Sequence, residues 1–102
     1  MIIYEVNLNV ERNIAREYQN WLEKHINDML TFDGFEKAMF FERKEESNTQ
    51  TVCFTTHYHI SSMDQLQDYF QNHAEKMRAD GIRRFGDLFK SDRRILSLLK
   101  EY

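Results

Sequence analysis

Four histidines, a set of C-terminal arginines and a dense group of aromatics are the side chains in this 102-residue sequence whose types and spacing point to chemistry. His73 falls on an apolar stripe with Leu66, Tyr69, Phe70 and Met77, where an imidazole titrating near neutrality serves as a base or ligand if the stripe faces a cleft. The plainer reading is a buried structural histidine. His25 stands one helical turn from Trp21 and either meets the same cleft from a first helix or is solvated at the stripe edge. Within such a cleft Tyr58 and Tyr69 would donate hydrogen bonds, and Trp21, Phe70 and Phe85 would form the walls.

His57 and His59 are two residues apart in an extended segment and share a face with Cys53 and Thr55. A His-x-His pair can bind a transition metal, but tight tetrahedral sites want three or four ligands and no third ligand is apparent, so no metal is expected. Cys53 reads as a small packed hydrophobe. Residues 76–102 carry eight Lys or Arg against four Asp or Glu, leaving six against thirteen elsewhere. Arg78, Arg83, Arg84, Arg93 and Arg94 can therefore cradle a carboxylate or phosphate, with Arg94 assigned to the ligand, or pair with the acidic remainder of the chain.

Side chains of this kind need a frame, and the hydropathy pattern supplies one. Ile2 to Val10 alternates as a half-buried strand, with Tyr4, Val6, Leu8 and Val10 on one face. From about Asn13, Ile14, Tyr18, Leu22, Ile26 and Met29 recur at helical spacing, and Asp33-Gly34 is expected to end that helix. Phe35 to Arg43 and Thr51 to Ile60 read as a hairpin. Ser62 and Gln65 form a capping-box pattern, a second helix follows, and Gly81 is expected to close it, with one further turn over Ile82 to Gly86. Ser91 to Leu99 fits a last strand or a short terminal helix, and the strand is the preferred reading. The order β-α-β-β-α-β describes an α+β, ferredoxin-like domain spanning 1–102, with a four-stranded antiparallel sheet and two helices on one face.

Two helices cover one face of a sheet, yet Ala38-Met39-Phe40-Phe41 sends large apolar groups to both. A second copy packed sheet to sheet would shield them, so the chain is expected to form a homodimer. The third-strand glycine-aromatic signature of RNA-recognition domains is absent from Thr51 to Ile60 and the net charge is −3, which argues against nucleic acid. No apolar run approaches the ~20 residues of a membrane span. A single cysteine and the absence of a signal-peptide pattern in Met1 to Val6 make a cytoplasmic setting the expectation. No phosphate loop or catalytic-triad signature is present, and no cofactor is expected.

Met1-Ile2-Ile3-Tyr4-Glu5-Val6, Trp21-Leu22-Glu23-Lys24-His25-Ile26, Asp33-Gly34-Phe35 and Tyr69-Phe70-Gln71-Asn72-His73-Ala74 carry a resemblance that covers nearly the whole chain. Arg78-Ala79-Asp80-Gly81, Arg84-Phe85-Gly86 and Arg93-Arg94-Ile95-Leu96 complete it. The sequence resembles the dimeric α/β-barrel superfamily and, within it, a bacterial family without an assigned activity. That resemblance implies a dimer whose two sheets close into a barrel. The wider superfamily includes antibiotic-biosynthesis-type monooxygenases, haem-degrading enzymes and stress-responsive proteins, whose ligands tend to sit between helices and sheet. The haem-degrading members resemble one another through a strand Asn, a Trp near the third strand and a helix His. This chain has Asn7 and His73, but its Trp21 lies on the first helix. The functional expectation is a homodimer binding a small aromatic or acidic molecule, or a protein partner. The alternative is a cofactor-independent monooxygenase-like or isomerase-like enzyme with His73 as base.

Overall fold

The alternation of Tyr4, Val6, Leu8 and Val10 with Glu5, Asn7 and Asn9 produces β1 (Ile2–Glu11), and the computed structural model, which describes residues 1–102, buries the first set beneath the helices. One 3-10 turn (Arg12–Ile14) leads into α1 (Ala15–Met29), whose buried Tyr18, Leu22, Ile26 and Met29 keep the expected spacing. The helix stops at Met29, before Asp33-Gly34; Gly34 instead uses its positive φ of 85° in the turn that opens β2 (Phe35–Glu42). β2 and β3 (Thr51–Ile60) pair as the expected hairpin. Ser62 caps α2 (Met63–Asn72), accepting the backbone N–H of Gln65 at 3.3 Å.

A single second helix was expected, and here the structure differs. The chain turns at His73 (φ −132°, ψ −28°) and restarts as α3 (Ala74–Phe85), so three α-helices cover the sheet. The His73 ring lies flat on Phe32, 4.4 Å between centroids, at that corner. Gly81 does not end the helix either. It sits inside α3, and the stop falls at Gly86, whose φ of 57° suits glycine. β4 (Phe89–Ser97) completes an antiparallel sheet in the order β2-β3-β1-β4, the ferredoxin-like arrangement.

Between sheet and helices the core is largely aromatic. Tyr4 stacks on Tyr58 at 6.0 Å, Phe35 meets Tyr69 at 5.2 Å, and Tyr18 meets Phe85 and Phe89 at 4.8 and 5.0 Å. Each such ring contributes roughly 1.5–3 kcal/mol through burial. Phe40 joins this side, 5.1 Å from Phe54. Met39 and Phe41 point the other way and remain 47% and 41% exposed.

That opposite face has a polar centre. Glu5, only 5% exposed, accepts hydrogen bonds from Arg94 Nε at 2.5 Å and Asn7 Nδ2 at 2.9 Å, and pairs with His57 Nε2 at 2.8 Å. Arg43 reaches across from the hairpin to Asn9, Thr55 and the Phe54 carbonyl. The Arg94 guanidinium and the Asn7 and His57 contacts hold the Glu5 carboxyl down to about 2 against the opposing effect of burial. No helix is long and apolar enough to cross a membrane.

Candidate functional site

A cavity of about 110 Å³ lies between α1, α3 and the sheet. Its floor is the helix-facing row of side chains from the strands: Tyr4, Val6 and Leu8 of β1, Thr56 and Tyr58 of β3, and Ser91 and Arg93 of β4. α1 supplies Tyr18, Trp21 and His25 as one wall, while Tyr69, Met77, Arg78 and Ile82 close the other side. An apolar cavity of ~150 Å³ accommodates benzene, so this space is the size of a single small ring rather than of a drug-sized ligand.

Trp21 forms one wall because both helices hold it. Its indole Nε1 donates to Asp80 Oδ2 at 2.7 Å, tying α1 to α3, and its ring is stacked with His25 at 4.8 Å. Gly81 is glycine for that reason: a Cβ there would stand 2.8 Å from Trp21 Cη2. Burial drives the His25 pKa down, so the imidazole in the wall is neutral around pH 7 and able to accept a proton. Burial pushes Tyr18, Tyr58 and Tyr69 up, leaving them as neutral hydroxyls that donate hydrogen bonds. Arg78 Nη2 donates to Tyr4 Oη and Arg93 Nη1 to Ser91 Oγ, each at 3.1 Å.

Of the residues singled out from the sequence, Trp21, His25, Tyr58 and Tyr69 come together around this cavity. Phe70 and Phe85 stand behind the lining, Phe70 edge-on to Tyr4 at 5.3 Å and Phe85 against Trp21 at 5.8 Å. His73 is not in the wall; the break between α2 and α3 turns its ring onto Phe32 instead. Arg94 points to the opposite side of the sheet, where it engages Glu5, and its neighbour Arg93 takes the cavity side because Arg93 is registered with the inward-facing Val6. The sequence places Thr56 on the strand face of Val52, Phe54, Tyr58 and Ile60 but does not single it out as a site residue, although a polar residue interrupting that apolar face is the available signal.

A family model described as a domain of unknown function, DUF4286, matches residues 1–99. The chain belongs to this family. No curated protein matches the DUF4286 chain by sequence. Among solved structures, it is similar to a Deinococcus radiodurans protein provisionally named an antibiotic biosynthesis monooxygenase, at 12% identity and a TM-score of 0.76, over 100% of this chain and 96% of that one. It is also similar to SnoaB, a cofactor-independent oxygenase from Streptomyces nogalater, at 10% identity and a TM-score of 0.71, over 98% and 95% of the two chains. The de novo designed protein Foldit4 shares the fold as well, with 8% identity and a TM-score of 0.66 over 95% of this chain and 97% of that one. A design among the neighbours underlines that these likenesses describe the fold alone.

Proposed function

We propose that this DUF4286 protein is a homodimeric binding module whose helix–sheet cavity takes a small aromatic molecule. One observation carries the reading: the cavity between Trp21, His25, Tyr18, Tyr58 and Arg93 is not filled by the packing of an otherwise aromatic core. The homodimer is supported by Met39 and Phe41, which stand exposed beside the Glu5–Arg94–His57 network on the uncovered sheet face. A thermal-shift screen of small aromatic acids, quinols and haem tests the binding role. A ligand of the cavity raises the melting temperature progressively with its concentration. A melting temperature unmoved by every compound contradicts the reading and favours a protein partner instead.

A second reading is favoured by His25. A neutral imidazole in an aromatic wall, with Tyr58 and Tyr69 as hydrogen-bond donors, has the groups needed to take a proton from a phenol or an enolisable ring. Such a protein would be a cofactor-independent, monooxygenase-like or isomerase-like enzyme, and SnoaB is an oxygenase of that cofactor-independent kind on a similar fold. In this reading the base is His25, because His73 is engaged with Phe32 outside the cavity.

A further inference from the structure

Two guanidinium groups line the cavity, and no Asp or Glu does. Neither Arg78 nor Arg93 takes part in any of the six salt bridges of the chain. Each uses one Nη to meet a neutral hydroxyl, Tyr4 for Arg78 and Ser91 for Arg93, while the Nε of both is buried and without a partner. Thr56, 1% exposed, presents a hydroxyl to the same space that is likewise buried and unpartnered. Both side chains are half-buried, so their guanidinium groups keep some access to water, but buried donors without acceptors such as the two Nε atoms are unfavourable wherever the protein alone must satisfy them. Three such atoms around one small space have no acceptor within the protein itself.

The sheet register sets the geometry of that place. Thr56, Val6 and Arg93 stand directly opposite one another on β3, β1 and β4, so Arg93 and Thr56 flank the short Val6 side chain at about 10 Å between their strands. Arg78 descends from α3 and is tethered to Tyr4, two residues along the same face of β1 from Val6. Resting on the reading of the cavity as a ligand site, we propose that its ligand is a single-ring aromatic carboxylate. The carboxylate lies above Val6 between Arg78, Arg93 and Thr56, and the ring lies against the Tyr18 and Trp21 wall. Planar guanidinium forks match a planar carboxylate, and the aromatic wall and the volume of about 110 Å³ match one ring.

Trp21 is the sole tryptophan and lines the cavity, so its fluorescence reports occupancy directly. The test is a titration of the purified full chain with benzoate, its neutral isostere benzamide, acetate and inorganic phosphate, repeated on Arg93→Gln and Arg78→Gln. Benzoate is expected to bind at least about 10-fold more tightly than benzamide and than acetate, and each substitution to weaken benzoate by about 10- to 100-fold and benzamide, whose neutral carbonyl accepts a weaker hydrogen bond, by less than about 10-fold. The benzoate-to-benzamide ratio of the unmodified protein decides the matter even if a variant fails to fold. Equal affinity for benzoate and benzamide overturns the anion site while leaving a neutral aromatic cavity standing. Phosphate binding more tightly than benzoate overturns the carboxylate class. Absence of binding by every compound removes both this inference and the cavity reading on which it rests.

Discussion

The indole of Trp21 lies over Gly81 so closely that a single methyl on Gly81 would approach its Cη2 to 2.8 Å, while its Nε1 is hydrogen-bonded to Asp80 one residue earlier. α1 and α3 are thus locked together at the edge of the cavity. Gly81 sits in the interior of α3 without a positive φ, where Ala ordinarily improves a helix by about 1 kcal/mol. Overpacking a ring already held by Asp80, His25 and Tyr18 costs about 1–3 kcal/mol. Gly81→Ala is therefore expected to destabilise the protein by roughly 1 kcal/mol and to red-shift Trp21 emission, which urea unfolding and fluorescence spectra check. A gain in stability with unchanged emission would contradict the contact.

Glu5 links stability to pH. Its folded carboxyl is held down to about 2 from 4.5, first by Arg94 and then by Asn7 and His57, so the unfolded chain takes up that proton first as the pH falls. The stabilisation is complete above about 4.5 and disappears as the pH drops towards about 2. Glu5→Gln is expected to lose roughly 1–3 kcal/mol near neutrality and to converge with the unmodified protein at the acid end of that window. Urea midpoints of both proteins measured across the window check this, and parallel curves would show that Glu5 is not the linked group.

Phe41 tests the assembly. It is 41% exposed, edge-on to His57 at 5.4 Å, on the face that has no helices. If two copies meet there, Phe41→Lys places a charge in a desolvated contact and shifts the population from dimer towards monomer. Sedimentation of the unmodified protein is expected at twice the 12.5 kDa chain mass, with the variant nearer the single-chain value. A monomer for both contradicts the dimer.

Much of the frame was legible because two periodicities dominate it. The period-two alternation of Tyr4, Val6, Leu8 and Val10 and of Val52, Phe54, Thr56, Tyr58 and Ile60 marked β1 and β3 and the faces they bury. The break at His73 was invisible because Tyr69, His73 and Met77 keep helical spacing straight through it and no proline or glycine marks the corner. Gly81 looked like a helix stop because a sequence does not distinguish a glycine chosen for its backbone from one chosen to admit a neighbouring ring. Arg93 and Arg94 were separated only by strand parity. A one-residue step in β4 sends one to the cavity and the other to Glu5, and that register is fixed by pairing with β1 rather than by local composition.

The central claim is that a small ligand enters between the helices and the sheet. Backbone amide NMR of the full chain, titrated with benzoate, tests it most directly. The expected result is a saturable set of shifts centred on Tyr18, Trp21, His25, Thr56 and Arg93, with Met39 and Phe41 of β2, on the open face and away from the lining, undisturbed. Shifts confined to the open sheet face, or a spectrum that does not change, would contradict the account.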